Sequence, residues 1–128
     1  IMTHRTDMTA AEISDPLSEI VSLSMDNGYS RIPVYDDDPD NIVGIAYVKD
    51  LLKYIGTDLP DDVTLRDIIR EPVFVPESMP CGDLFKQMTD KHTQMAIVVD
   101  EFGGTAGIVT LEDVLESIVG NIQDEYDD

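Results

Sequence analysis

One stretch of this chain is written twice. When GIAYVKDLLKYI (44–55) is laid on GIVTLEDVLESI (107–118), Gly44 falls on Gly107, Ile45 on Ile108, Asp50 on Asp113, Leu52 on Leu115 and Ile55 on Ile118. Upstream the match continues with a one-residue change of offset: Ser14 meets Ser78, Pro16 meets Pro80, Val34 meets Val98 and Asp36 meets Asp100. A duplication of this length restricts the fold to two copies of one unit. The copies are expected over 7–56 and 71–120, with a linker at 57–70 holding a short helix and an acidic tail at 121–128 leading to a further domain.

Each copy reads as β-α-β-β-α. MTAAEI and PVFVP are short extended openings. In the first copy a helix follows, with Asp15 as cap, Pro16 in its first position, Leu17, Ile20 and Val21 facing inward, and Gly28 ending it. In the second, Leu84, Phe85 and Met88 keep helical spacing. RIPVY and MAIVV are strands, the latter apolar throughout as suits a strand covered on both faces. The turns DDDPDN and DEFGG lead to the strands IVGIAY and TAGIVT. Val48, Leu51, Leu52 and Ile55 then repeat at helical spacing, as do Leu111, Val114, Leu115 and Ile118. Thr64 and Asp67 stand at capping-box spacing in the linker. Neither half, at ~50 residues, buries enough alone to be comfortably stable. The expected fold is therefore α/β (α+β), two pseudo-symmetric units packed sheet to sheet with a cleft between them.

Composition narrows the partners. Among 128 residues, 27 acids face 8 bases, for a formal net charge of −19. Nucleic acid and anionic membrane surfaces need clustered Lys and Arg, so neither is expected as a partner. No apolar run approaches the ~20 residues that span a bilayer, so no direct membrane insertion is expected. Cys81 is the single cysteine, which fits a reducing compartment. The start at Ile1 and the end in DEYDD read as a piece of a longer protein.

Chemistry concentrates where the last strand of each copy meets its last helix. Gly107 leaves room for a close approach. Ile108 and Val109 form buried strand, Thr110 offers a hydroxyl at the strand end, and Asp113 lies one turn into the helix. Hydroxyl and helix N-terminus suit phosphate, while a carboxylate accepts bonds from a ribose diol. Thr110 also reads as a simple helix cap and Asp113 as a favourable first-turn charge. Other candidates fail: DDDPDN lacks the glycine and the closing glutamate of an EF-hand loop. His4 and His92 have no second metal ligand at useful spacing, so no metal site is expected. GTAGIVT lacks the Gly-Lys-Ser/Thr ending of a P-loop, and no acid–base pair suggests catalysis.

The duplicated unit with G-h-h-T-x-x-D after its last strand resembles the CBS domain, here as a tandem pair (a Bateman module), over nearly the whole chain. MTHRTDM, GYSRIPVY, VPES, MAIVVDEFGGTAGIVTLEDVLE and IVGNIQDEYDD further resemble the CorC/HlyC hemolysin-like group, implicated in magnesium and cobalt efflux. The resemblance implies a regulatory module, not an enzyme, that binds an adenosine nucleotide, AMP or ATP. Thr110 would contact ribose or phosphate and Asp113 the ribose hydroxyls; Pro72 and Val73 would lie near adenine with Ile108, and Gly107 would belong to the same nucleotide site. Phosphate needs a cation, and among the 8 bases Arg31, with Ser30 beside it, is the candidate; Arg31 reads equally as a surface partner of one of the 27 acids. Tyr47 stands where the first copy should have threonine, although Asp50 is kept, so the first site is expected to be weak or empty. The acidity predicts that ATP binds better with Mg2+. The resemblance also implies a homodimer on the cytoplasmic side, attached to or partnered with a membrane transport domain. The alternatives are a constitutive dimerisation scaffold with a non-binding cleft, or a regulatory insert of a nucleotide-pathway enzyme.

Overall fold

A computed structural model describes residues 2–52 and 64–126, with side chains through residue 120. The polypeptide divides into two compact units, Thr9–Pro72 and the pair of segments Ile1–Met8 with Val73–Asp128. They are termed here the N-terminal and C-terminal copies. The first residues of the chain thus belong with its second half.

The N-terminal copy runs β2 (Ala11–Glu12), α1 (Leu17–Asn27), β3 (Arg31–Asp36), β4 (Asp38–Tyr47), α2 (Val48–Leu51) and α3 (Leu65–Ile68). Its sheet has the order β2-β3-β4, with β2 parallel to β3 and β3 antiparallel to β4. The C-terminal copy begins with β1 (Thr3–His4), then β5 (Phe74–Pro76), α4 (Cys81–Asp90), β6 (Met95–Val99), β7 (Thr105–Thr110) and α5 (Leu111–Tyr126). Its sheet order is β1-β7-β6-β5. The β-α-β-β-α order holds in both copies, and the α/β class with two sheets is as the repeat requires.

Alternation along the strands sends one set of side chains to each face. Val75, Ala96, Val98 and Val109 meet Leu84 and Met88 of α4 and Val114 of α5 in one buried cluster. Ala11, Ile32, Val34 and Ala46 meet Ile20 and Leu51 in its counterpart. Loss of a buried leucine or isoleucine side chain from such a cluster costs about 2–5 kcal/mol.

Several local expectations change. Asp15 does not cap α1; its carboxylate accepts the Glu12 N–H at 3.0 Å, closing the turn out of β2, and Pro16 stands at the cap position instead. Gly28 does end α1, at φ 72°, with its N–H donating to the Ser24 carbonyl at 2.7 Å. Most of DDDPDN is strand: the turn narrows to Asp37, at φ 68°, and β4 starts at Asp38. Leu52 and Leu115 are not inward but 56% and 47% exposed. Ile55 lies outside the described residues. The linker helix forms, its capping box closed by the Thr64 N–H donating to Asp67 Oδ2 at 2.9 Å. Helix α5 continues through most of the expected tail, to Tyr126.

Candidate functional site

The same junction is built twice. In each copy the last strand pairs antiparallel with its neighbour, Met95 opposite Thr110 and Arg31 opposite Tyr47. In each, the first helical N–H is taken by the residue just before the neighbouring strand: Leu111 donates to the Gln94 carbonyl and Val48 to the Ser30 carbonyl, both at 2.9 Å. The backbone frame of the motif is therefore shared, and only its side chains differ.

In the C-terminal copy Thr110 Oγ1 accepts the Asp113 N–H at 3.3 Å, so the hydroxyl is a helix cap. That role leaves its own proton and a second lone pair for another partner. Asp113 is half-buried, and among the described residues its carboxylate has no ion-pair partner. A hydroxyl donor, a carboxylate acceptor and the start of a long helix thus stand together. Ile108 faces away from the helix-packed cluster, opposite Ile97 on β6.

Gly107 has a different role from the one its spacing suggested. A Cβ there would overlap the Thr3 carbonyl oxygen and come within 2.8 Å of Met2 Cγ. The close approach is made by β1, whose Thr3 and His4 pair with Ile108 and Gly107. Gly44 repeats the arrangement: its Cβ would stand 2.5 Å from Ile69 Cδ1, beside the antiparallel bridge of Ile45 with Arg70. Both glycines admit a crossing strand, not a ligand. Val73 also changes role, because its side chain packs against the C-terminal core cluster and its carbonyl accepts the Ile97 N–H at 2.8 Å. Pro72 is half-buried at the end of the N-terminal copy. Ser30 is exposed and Arg31 half-buried, both in the N-terminal copy.

The N-terminal junction contains a residue that the motif did not mark. Arg70 donates from Nε to Asp50 Oδ2 at 2.9 Å and from Nη2 to Asp50 Oδ1 at 3.1 Å. Its guanidinium also lies 4.2 Å from the centre of the Tyr47 ring. These bonds to Asp50, outweighing partial burial, push the Arg70 pKa further up. Arg70 bridges to Ile45 as Thr3 pairs with Ile108, a match of strand register and not of sequence spacing.

A cavity of about 280 Å³ opens elsewhere in the C-terminal copy, lined by Met2, Val75, Met79, Cys81, Leu84 and Val109 among others. Among the described residues, no cluster of three or more His, Cys, Asp or Glu could hold a metal, and no helix is long and apolar enough to cross a membrane.

Comparison with known proteins agrees with this architecture. Residues 1–57 and 63–120 match the CBS domain. The magnesium and cobalt efflux protein CorC of Vibrio cholerae is 44% identical over the whole chain, which spans 44% of that protein's length. The CBS domain of a bacterial CNNM/CorC family Mg2+ transporter, solved in complex with ATP, superposes with a TM-score of 0.88. It is 49% identical, over 94% of this chain and 84% of that one. A CBS-domain pair from Klebsiella pneumoniae with bound AMP gives a TM-score of 0.78 and 29% identity, over 93% of this chain and 94% of that one.

Proposed function

The chain belongs to the CBS domain family, as a tandem pair related to CorC proteins, and from that premise we propose that it is the nucleotide-sensing regulatory region of a CorC-type magnesium or cobalt transport protein. The observation that carries this reading is the C-terminal junction, where a capping hydroxyl and a carboxylate with no ion pair among the described residues stand within one helical turn. In this reading Asp113 accepts both hydroxyls of a ribose, and Thr110 donates to ribose or phosphate. Ile108 flanks the adenine. Support comes from the similar CBS pairs solved with ATP and with AMP. Regulation then requires that the nucleotide favour one arrangement of the module over another.

A formal charge of −19 opposes a bare polyphosphate. Mg2+ would offset part of that repulsion, so ATP is expected to bind on the order of tenfold more tightly with Mg2+ than without. The module acts on the cytoplasmic side, beside a membrane transport domain, and as a homodimer. For the dimer, the supporting observation is that equivalent residues of the two copies, Leu52 and Leu115, are both left exposed on the closing helices. Calorimetric titration with AMP, ADP, ATP and Mg-ATP tests the proposal. Saturable binding of at least one of them supports it, and no heat from any of the four at millimolar concentration contradicts it.

A further inference from the structure

We infer that Arg70 locks the N-terminal copy's junction against nucleosides, so that the chain takes up one nucleotide, not two; this rests on the functional reading above. Asp50 occupies the place of Asp113, on the same backbone frame. A ribose would engage that carboxylate by presenting two hydroxyl protons to its oxygens. Arg70 already presents two N–H groups, one to each oxygen, at 2.9 and 3.1 Å. The guanidinium therefore imitates the diol, with the added strength of a charged donor.

Three contacts hold it in place. Its backbone N–H and carbonyl exchange bonds with Ile45 at 2.9 and 3.0 Å, its side chain meets Asp50, and its cation faces the Tyr47 ring at 4.2 Å. A ligand must break the side-chain contacts together before it reaches Asp50. In the C-terminal copy the corresponding residue is Thr3, opposite Ile108, which is short and uncharged. That difference leaves Asp113 without an internal competitor among the described residues. Tyr47 completes the lock, since it replaces the capping hydroxyl with the surface on which Arg70 rests.

The test removes the C-terminal site and opens the other. Calorimetry with Mg-ATP should give one site in the unmodified chain and none in Asp113→Ala. Adding Arg70→Thr to Asp113→Ala should restore a site, and adding Tyr47→Thr should tighten it. Asp50→Ala placed on top should abolish it again. The restored site should reject 2′,3′-dideoxy-ATP, which lacks the diol. Arg70 is 46% exposed, so its replacement leaves the core intact, and melting curves of every variant verify folding. A folded Asp113→Ala/Arg70→Thr chain that takes up no Mg-ATP would overturn the lock while leaving the C-terminal site standing. Two sites in the unmodified chain would also overturn it. Failure of the unmodified chain to bind would overturn the functional reading and the lock with it.

Discussion

In the C-terminal copy β7 passes into α5 through a threonine whose hydroxyl caps the helix, and the aspartate one turn later is left without an ion pair among the described residues. In the N-terminal copy β4 passes into α2 through a tyrosine with no capping bond, and the equivalent aspartate is clamped by an arginine. The backbone bonds that frame the two junctions match residue for residue. Duplication thus supplied one scaffold, and a few side chains decide whether it presents a binding group or satisfies it internally. A carboxylate's availability depends on what else reaches it, and a motif does not record that.

The largest expected difference between the copies concerns their glycines. Gly107→Ala drives a methyl group into the backbone carbonyl of Thr3, which cannot rotate away, and β1 must leave β7. We expect a loss of about 3 kcal/mol, at the upper end of overpacking costs. Gly44→Ala meets the Ile69 side chain, which has rotamers to use, and should cost about 1 kcal/mol. Urea unfolding of the two variants measures both, and equal losses would remove the distinction.

Caps come next. Thr110→Val deletes the oxygen that accepts the Asp113 N–H and should cost about 1 kcal/mol. Tyr47→Phe, at the matching position, removes no capping bond and should change stability by less than ~0.5 kcal/mol. A Tyr47→Phe loss as large as that of Thr110→Val, by the same unfolding measurement, would show that the tyrosine hydroxyl has a role these contacts do not contain. The smallest effect on stability belongs to the lock itself. Its arginine is 46% and its aspartate 23% exposed. Arg70→Ala should therefore cost about 1 kcal/mol or less, shrinking further in high salt. A larger, salt-independent loss would mean that Arg70 acts through packing.

Most of the framework was legible because it repeats. Strand and helix periodicities that are ambiguous once become decisive when Ile32–Val34 and Ala96–Val98 carry them at matching places. The pairing of the Thr110 hydroxyl with the start of the helix that carries Asp113 was legible for the same reason. Strand β1 was not, since Thr3 and His4 show no periodicity and their partner is β7, at the far end of the sequence. Helical spacing marked Leu52 and Leu115 as inward because it identifies an apolar face without fixing how much of that face a neighbour covers. Arg70 escaped notice because its pairing with Asp50 arises from strand register, through the bridge to Ile45, and no local spacing encodes that.

The two copies differ most directly in which aspartate is open to the proposed ligand. Thermal denaturation of the unmodified chain, Asp113→Ala and Asp50→Ala, each with and without saturating Mg-ATP, compares them directly. Ligand at 100 times its Kd should stabilise the unmodified chain and Asp50→Ala by about 2.7 kcal/mol and leave Asp113→Ala unmoved. Full stabilisation of Asp113→Ala, or its loss in Asp50→Ala alone, would contradict the assignment.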